Sequence, residues 1–307
     1  MSPVFQCIPN FSEGRDLSTV EAIADAIRGI SGALLIDYSA DWDHNRCVMT
    51  ILGDEAAICE AAFAGALVAV ERIDLTRHRG VHPRTGALDV LPVVPLVGAD
   101  RHQAAAVAQK IGEALADLLL VPVFFYEWNA GPGRRSALPE IRHGGFQAIR
   151  GRELEGSQAP DLGPQLPHAT AGITVVGARG PLVAYNVNLG ACEVAIARAI
   201  ARRIREQRDH LPELEGVRAL GLFLASQGRA QVSLNLTRPD NTPLPGVFAF
   251  VASEAAALGV ADLESEIIGA IPRASLGGQP PEAIRWTAYK ESQILETWLA
   301  APNQAGA

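Results

Sequence analysis

The stretch at residues 76–95, TRHRGVHPRTGALDVLPVVP, joins a basic loop to an apolar run and organises the first part of the chain. Glycine and proline interrupt its first half and predict a shaped loop instead of a helix. Residues 88–94 are apolar and β-prone, which predicts a strand. A loop anchored to a strand can hold a histidine rigidly, and a rigid imidazole is suited to moving protons near neutral pH.

The loop reverses the charge of the chain locally. Basic or titratable side chains crowd into eight residues, at Arg77, His78, Arg79, His82 and Arg84, whereas the whole chain has 34 Asp and Glu against 26 Lys and Arg. Such a group is most often a solvated surface, and composition alone favours that interpretation.

Upstream and downstream of this loop the pattern alternates between strands and helices. Predicted strands cover residues 4–9, 33–38, 46–52, 88–94 and 121–126. The first predicted helix is capped by Asp16 or Ser18, and two further helices cover residues 55–73 and 101–118. The order β-α-β-β-α-β-α-β is typical of a split βαβ sheet with its helices on one face. Residues 128–170 are rich in glycine and proline and predict an ordered crossing segment with one short helix near residues 137–142.

The second half repeats this kind of pattern. Residues 173–178 and 182–189 predict two paired strands, followed by strands at 217–224, 230–236 and 263–268 and helices at 191–207, 243–258 and most of 280–299. The predicted fold class is α+β, with two α/β subdomains that each contain a mixed sheet of ferredoxin-like, split βαβ type. The predicted domains are residues 1–178 and 179–300, with a disordered tail at 301–307.

Composition excludes several classes of protein. The 307 residues are 48% hydrophobic and carry a net charge of −8, so a core is easily buried and nucleic acid is not an expected partner. No apolar run reaches the roughly 18 residues of a membrane span, and residues 1–15 are too polar for a signal peptide, which predicts a soluble cytoplasmic protein. The four cysteines form no C-x-x-C pair, and Gly80 and Pro83 argue against a helical face shared by His78 and His82, so no metal is expected.

Several longer motifs occur in one collinear order between about residues 4 and 299. They are CIPNFSEGRD at 7–16, DHNR at 43–46, RHRGVHPRTGALDVLP at 77–92, PDLGP at 160–164, GARGPLVAYNVNL at 177–189, AQVSLNLT at 230–237 and SEIIGAIP at 265–272. Together they resemble the formiminotransferase family. The resemblance implies transfer of a formimino group from N-formimino-L-glutamate to tetrahydrofolate as co-substrate, in histidine breakdown. It also implies a folate crevice between two subdomains, a homodimer, and no metal.

The resemblance also assigns roles to residues of the loop. His82 matches the catalytic histidine in the motif G-x-H-P-R, and a base with a near-neutral pKa suits the attack of an amine on an amidine carbon. His78 is either a partner of His82 or a packed loop residue. The acid that assists the histidine is left open among Asp37, Asp41 and Asp43, because this chain has Ser39 where vertebrate members carry an acidic residue.

Further residues are candidates for substrate binding. Both substrates carry carboxylates, for which arginine forks at Arg46, Arg79 and Arg84 are suited. Polar side chains at strand ends can meet the pterin ring, or can serve as turn and cap residues: Asn10, Ser12, Glu13, Asn186 and Asn188. The folate-binding stretch of the family corresponds to Gly163, Pro164, Gln165, Leu166, Pro167, His168, Ala169, Thr170, Ala171 and Gly172.

Two other functions remain open at this point. The chain can be a family member with altered chemistry, such as a 5-formyltetrahydrofolate cyclo-ligase or an enzyme that uses another donor such as formiminoglycine. A cyclo-ligase needs ATP, and the chain has no G-x-x-x-x-G-K-[ST] loop. The third possibility is a non-catalytic folate-binding protein, against which the intact G-x-H-P-R motif argues.

Overall fold

The computed structural model describes residues 2–299, and within that range the chain divides after Arg179 into two compact units. The predicted tail at 301–307 lies outside the described residues. No helix within residues 2–299 combines the length and the apolar character that crossing a bilayer requires.

The first unit alternates strands and helices in the predicted order. Its strands are β1 (Phe5–Cys7), β2 (Asn10–Phe11), β3 (Leu34–Asp41), β4 (Arg46–Gly53), β5 (Leu88–Pro95), β6 (Val123–Phe125) and β7 (Thr174–Ala178). Its helices are α1 (Leu17–Arg28), α2 (Glu55–Arg72), α3 (Arg101–Leu119), α4 (Leu138–Ile141) and α5 (Gly145–Ile149). The predicted cap of α1 is confirmed, because the Asp16 side chain accepts hydrogen bonds from the N–H groups of Ser18 and Thr19.

The sheet of this unit is mixed. β1 and β2 both lie between β4 and β5, and the break between them falls at Pro9, which has no N–H to donate to a neighbouring strand. The strand predicted at 4–9 is therefore interrupted at Pro9 and extends beyond its predicted end, to Asn10 and Phe11. The resulting order is β3, β4, β1 with β2, β5, β7 and β6, and β7 runs parallel to both β5 and β6.

Both faces of this sheet are covered. Val123 and Phe125 belong to a large core that also receives the buried residues of α1, α2 and α3. The alternate residue Phe124 belongs to a smaller core that includes Ile141 of α4. The prediction that the helices lie on one face therefore holds for the three long helices, but the short helix α4 packs on the other face.

The predicted pairing of residues 173–178 with 182–189 is wrong. β7 joins the first sheet, where it fills the space between β5 and β6, and the following strand belongs to the second unit. The glycine and proline between the two strands resemble a hairpin turn in sequence. Such a turn does not fix pairing when two buried strand edges are available elsewhere for parallel pairing.

The second unit contains a four-stranded sheet. Its elements are β8 (Val183–Leu189), α6 (Val194–Gln207), β9 (Val217–Leu224), β10 (Arg229–Leu236), α7 (Leu244–Ala257), β11 (Leu263–Ile268) and α8 (Leu295–Leu299). The strand order is β11-β8-β10-β9, and the pairings described among these four strands are antiparallel, which corrects the prediction of a mixed sheet for this unit. The sequence predicts a mostly helical segment at 280–299, but these residues form short 3₁₀ turns before α8, because Arg285 and Ala288 adopt left-handed φ angles of 51° and 56° that interrupt a helix.

Candidate active site

The basic loop between α2 and β5 is held in place by its own arginine. The Arg84 guanidinium donates to the carbonyl oxygens of Gly80 and His82, each at 3.2 Å, and to that of His78 at 3.1 Å. Gly80 also allows close approach to a neighbouring segment, because a Cβ built there would lie 2.3 Å from the carbonyl oxygen of His44. Arg84 therefore shapes the loop around His82, and Gly80 allows that loop to lie against residue 44.

The side chain of His82 is half-buried and adopts a defined tautomer. Its Nδ1 lies 2.7 Å from the carbonyl oxygen of Pro83. Since a carbonyl oxygen only accepts, Nδ1 carries the proton, and the lone pair of the neutral ring is on Nε2. The pKa of His82 lies well below its usual range, because burial and the positive charges of Arg46 and Arg142 disfavour a second proton. His82 is therefore a neutral base at physiological pH.

A buried ion cluster lies beside this base. Asp89 of β5 is fully buried and accepts hydrogen bonds from Arg46 Nη1 at 2.6 Å, from Arg142 Nη2 at 2.5 Å and from the Thr85 N–H at 2.8 Å. Burial alone raises the pKa of Asp89, but the charges of Arg142 and Arg46 outweigh it and hold the pKa of this carboxyl well below its usual range. Asp89 is thus a permanent anion shared by two guanidinium groups.

The DHNR segment at 43–46 borders His82 and its loop. The ring of His44 lies 5.8 Å from that of His82, between centroids, and His44 is 9% exposed. Asp41 accepts a hydrogen bond from the N–H of His44 at 2.6 Å, and the carbonyl of Asp43 accepts one from Val81 at 3.0 Å. These contacts tie the DHNR segment to the loop, and the choice of an assisting acid among Asp37, Asp41 and Asp43 stays a prediction.

Arg46 and Asn10 are predicted site residues that the structure brings together. The Asn10 side-chain oxygen accepts from Arg46 Nη2 at 3.0 Å and from Arg46 Nε at 3.3 Å. With Nη1 on Asp89, all three nitrogens of this buried guanidinium have partners within the protein. Arg46 is therefore a structural member of the cluster in this conformation, and a role in binding substrate carboxylates stays a prediction.

Ser12 and Glu13 make local contacts. The Ser12 hydroxyl donates to the carbonyl oxygen of Gly86 at 2.7 Å, and one carboxylate oxygen of Glu13 accepts from the N–H groups of the next three residues. These are the turn and cap contacts that were considered for both residues from the sequence. Their predicted contact with a pterin ring stays a prediction.

His78 and Arg79 lie on another part of the loop. His78 is 5% exposed, its Nε2 donates to the carbonyl oxygen of Asn45 at 2.8 Å, and its pKa is lowered to about 4 by burial and by the nearby charge of Arg84. Together with Glu13, both residues line a cavity of about 340 Å³. His82 and Arg46 are not among the described residues that line it, so the predicted site residues fall into two groups.

The stretch from Gly163 to Gly172 packs on the end of the basic loop. Gly172 forms an isolated antiparallel β-bridge with Gly86, and the carbonyl oxygen of Ala171 accepts a hydrogen bond from the N–H of Ala87 at 2.8 Å. His168 closes a tight turn, since its Nδ1 accepts from the N–H of Ala171 at 3.0 Å. The remaining members of the stretch range from the buried Pro167 to the exposed Gly163, Gln165, Leu166 and Ala169, with Pro164 and Thr170 half-buried.

Asn186 and Asn188 belong to the second unit. Both are buried on β8, on the face opposite the core residues of that strand. Asn186 donates to Glu266 at 3.0 Å, and Gln231 donates to Asn188 at 2.9 Å and to Glu266 at 3.1 Å. They form a polar network of their own on this sheet.

Sequence reasoning missed three members of the cluster around His82. Asp89 had a usable signal, because a single charge within an apolar strand has to be paired when the strand is buried. His44 was present in the DHNR motif but was not considered as a site residue. Arg142 follows α4 in the glycine- and proline-rich crossing segment, where nothing in the sequence distinguishes it from neighbouring arginines.

The larger described cavity, of about 610 Å³, contains none of the predicted site residues. Its lining includes Glu55 and Cys59 of α2 and Gln103 and Lys110 of α3. Among residues 2–299, no group of three or more His, Cys, Asp or Glu side chains is arranged to hold a metal ion.

Comparisons with known proteins agree with the motifs. The family described as "Formiminotransferase domain, N-terminal subdomain" matches residues 4–179, and "Formiminotransferase domain" matches residues 184–279. The chain is 38% identical to a protein named glutamate formimidoyltransferase from Streptococcus pyogenes serotype M1, over 90% of this chain and 91% of that protein.

Two further relatives extend this similarity. A protein of the same name from Thermoplasma acidophilum is 38% identical over 95% of each chain. The formimidoyltransferase-cyclodeaminase of Gallus gallus is 38% identical over 90% of this chain, which covers 51% of that longer protein. On these matches, which span both units, the chain belongs to the formiminotransferase family.

Proposed function

We propose that this chain transfers the formimino group from N-formimino-L-glutamate to N5 of tetrahydrofolate, which gives 5-formiminotetrahydrofolate and L-glutamate. Family membership and the names of the relatives support this class of reaction. The observation that carries the proposal is the neutral imidazole of His82, whose Nδ1–H is donated to Pro83 and whose Nε2 is left as a base.

His82 would act as a general base and then as a general acid. As N5 attacks the formimino carbon, a C–N5 bond forms, the C=N electron pair moves to the imino nitrogen, and Nε2 of His82 takes the proton from N5. When the intermediate collapses, the bond from carbon to the glutamate nitrogen breaks, and the imidazolium returns the proton to that nitrogen. The Arg84-bound loop would keep the ring in one position throughout, which such a transfer requires.

The remaining predicted residues would bind the substrates. We assign the stretch from Gly163 to Gly172 to folate, because it packs against the loop that carries His82. Arg79 is a candidate for a carboxylate of either substrate, and His78, which lines the same cavity, stays a candidate for a substrate contact. Asn186 and Asn188 remain candidates for pterin contacts. The predicted folate crevice, homodimer, cytoplasmic location and place in histidine degradation stay predictions.

We also infer that the two units correspond to the predicted functional subdomains and that each is built on a split βαβ arrangement. In the second unit the order β11-β8-β10-β9 supports this, since it is the fourth, first, third and second strand of that unit. In the first unit β5, β1 with β2, β4 and β3 follow the same order, and β6 and β7 extend it.

An assay of the purified protein with tetrahydrofolate and a set of formimino donors tests the proposal. We expect His82→Ala to lower turnover by about 10²–10⁴-fold with folate binding kept, and His102→Ala, on the exposed face of α3, to have no effect. Because the pKa of His82 is lowered and a base acts when unprotonated, wild-type activity should persist below pH 6.5 and fall only at more acidic pH.

Unchanged turnover of His82→Ala would reject the proposed base. Transfer from formiminoglycine in place of formiminoglutamate would reassign the donor. Consumption of 5-formyltetrahydrofolate that depends on ATP would indicate a cyclo-ligase, and folate binding without turnover of any donor would indicate a binding protein.

A further inference from the structure

The arginines near His82 differ in how many of their donors are already used. Arg46 is occupied by Asp89 on one side and by Asn10 on the other, and Arg84 is occupied by three carbonyl oxygens of its own loop. Arg142 donates from Nη2 to Asp89, but its Nε–H is buried and has no partner among the described residues. Its side chain is 10% exposed.

A buried donor on a charged group rarely stays without an acceptor. A buried donor without a hydrogen-bond partner costs about 1–3 kcal/mol or more, and this free energy is regained when an acceptor binds. Nε2 of His44 is also buried and without a partner in the described part of the chain, and its ring neighbours that of His82. Two nitrogens with unused hydrogen-bonding capacity therefore lie in the cluster around the base.

The charge of the cluster favours an anion. Asp89 is one carboxylate between the two guanidinium groups of Arg46 and Arg142, so one positive charge is left uncompensated. The charged and titratable groups that act on His82 are Arg46, Arg142, Asp89 and His44. A carboxylate bound here would accept a hydrogen bond from the Nε–H of Arg142 and would neutralise the uncompensated positive charge.

We propose that Arg142 binds a carboxylate of the formimino donor through its Nε–H, beside His82, and so selects donors that are anionic amidines. The inference rests on the proposed function and adds the residue that recognises the donor. Arg142 comes from the crossing segment, which means that the segment contributes a binding residue as well as connecting β6 to β7. Asp89 orients Arg142 by holding Nη2.

Substitution of Arg142 tests this inference. Arg142→Gln removes the charge, and Arg142→Lys keeps a charge for Asp89 but lacks the Nε–H. We expect both to raise the KM for formiminoglutamate and its Kd in calorimetry about 10- to 100-fold, the range of a hydrogen bond to a charged group. The KM for tetrahydrofolate should change far less, and kcat/KM for formiminoglutamate should fall relative to that for formamidine, a donor with no carboxylate to bind at Arg142.

Arg152→Gln is the matched control, because Arg152 is exposed in the same segment and its side chain donates only to the carbonyl oxygen of Ala148 among the described contacts. A purely structural role for Arg142 would be revealed if binding of every ligand and the melting temperature fell together in Arg142→Lys. That result, or unchanged donor binding in both Arg142 variants, would overturn the inference.

The calorimetric arm separates this inference from the proposed function. If wild type binds formiminoglutamate without transferring its formimino group, and the Arg142 variants lose that binding, the inference holds and the proposed reaction fails. If wild type catalyses transfer and the Arg142 variants do so with an unchanged KM for the donor, the reaction holds and the inference fails.

Discussion

Replacing Asp89 with Asn should strongly destabilise the first unit. The carboxylate is fully buried and accepts from Arg46, Arg142 and the N–H and hydroxyl of Thr85. An amide of the same shape would direct its NH₂ group at one of the two sets of donors and would leave two buried guanidinium groups without an anion. Breaking a buried pair in this way typically costs about 3–5 kcal/mol, a large part of the roughly 5–15 kcal/mol that stabilises a domain.

The loss is measurable by urea denaturation followed through a probe confined to the first unit. Since the chain has two units, hydrogen exchange of β5 amides is preferable to a global signal. With a slope of about 2–3 kcal/mol per M for a domain of this size, the midpoint should move by roughly 1–2 M. Asp25→Asn, which removes a partner of Arg28 on the exposed surface of α1, should shift it little. A loss below about 1 kcal/mol for Asp89→Asn would refute the reasoning.

Two further predictions concern the basic loop. Since the pKa of His78 is about 4 in the folded protein and about 6.5 when unfolded, only the unfolded chain takes up a proton between these values, and stability should fall by about 3 kcal/mol from pH 7 to pH 4. Denaturation across this pH range should show a flatter dependence for His78→Gln, and equal slopes would contradict the assignment. Gly86→Ala should cost about 1–3 kcal/mol, because its Cβ would lie 1.9 Å from the carbonyl oxygen of Ile173, whereas Gly131→Ala, with no atom closer than 3.4 Å, should be tolerated; equal melting temperatures would contradict this.

Local patterns predicted most elements of the fold but not every pairing. The cap at Asp16 and the apolar strand β5 follow from a few neighbouring residues, which is why the sequence identifies them. β7 pairs with two strands that lie far from it along the chain, since Val176 pairs with Leu91, 85 positions earlier, and with Phe125, 51 positions earlier. No periodicity within β7 carries that information.

The candidate site was predictable to the same extent. The loop of His82 is recognisable because glycine, proline and histidine follow one another in a fixed motif. The effect of the surroundings on the pKa of His82 could not be predicted from the sequence. This effect depends on the burial of Asp89 and on Arg142, which reaches Asp89 from the crossing segment. Asp89 could have been suspected from its apolar neighbours, whereas only the folded chain identifies its second arginine.

The position of β7 has a consequence for synthesis of the protein. A nascent chain that ends at residue 173 already contains β5 and β6, but the strand that joins them has not yet been made, so their facing edges are unpaired. Such edges readily pair with other chains. The first unit therefore cannot complete its sheet on the ribosome until residue 178 has left the exit tunnel, and we expect chaperones to engage the growing polypeptide before that point.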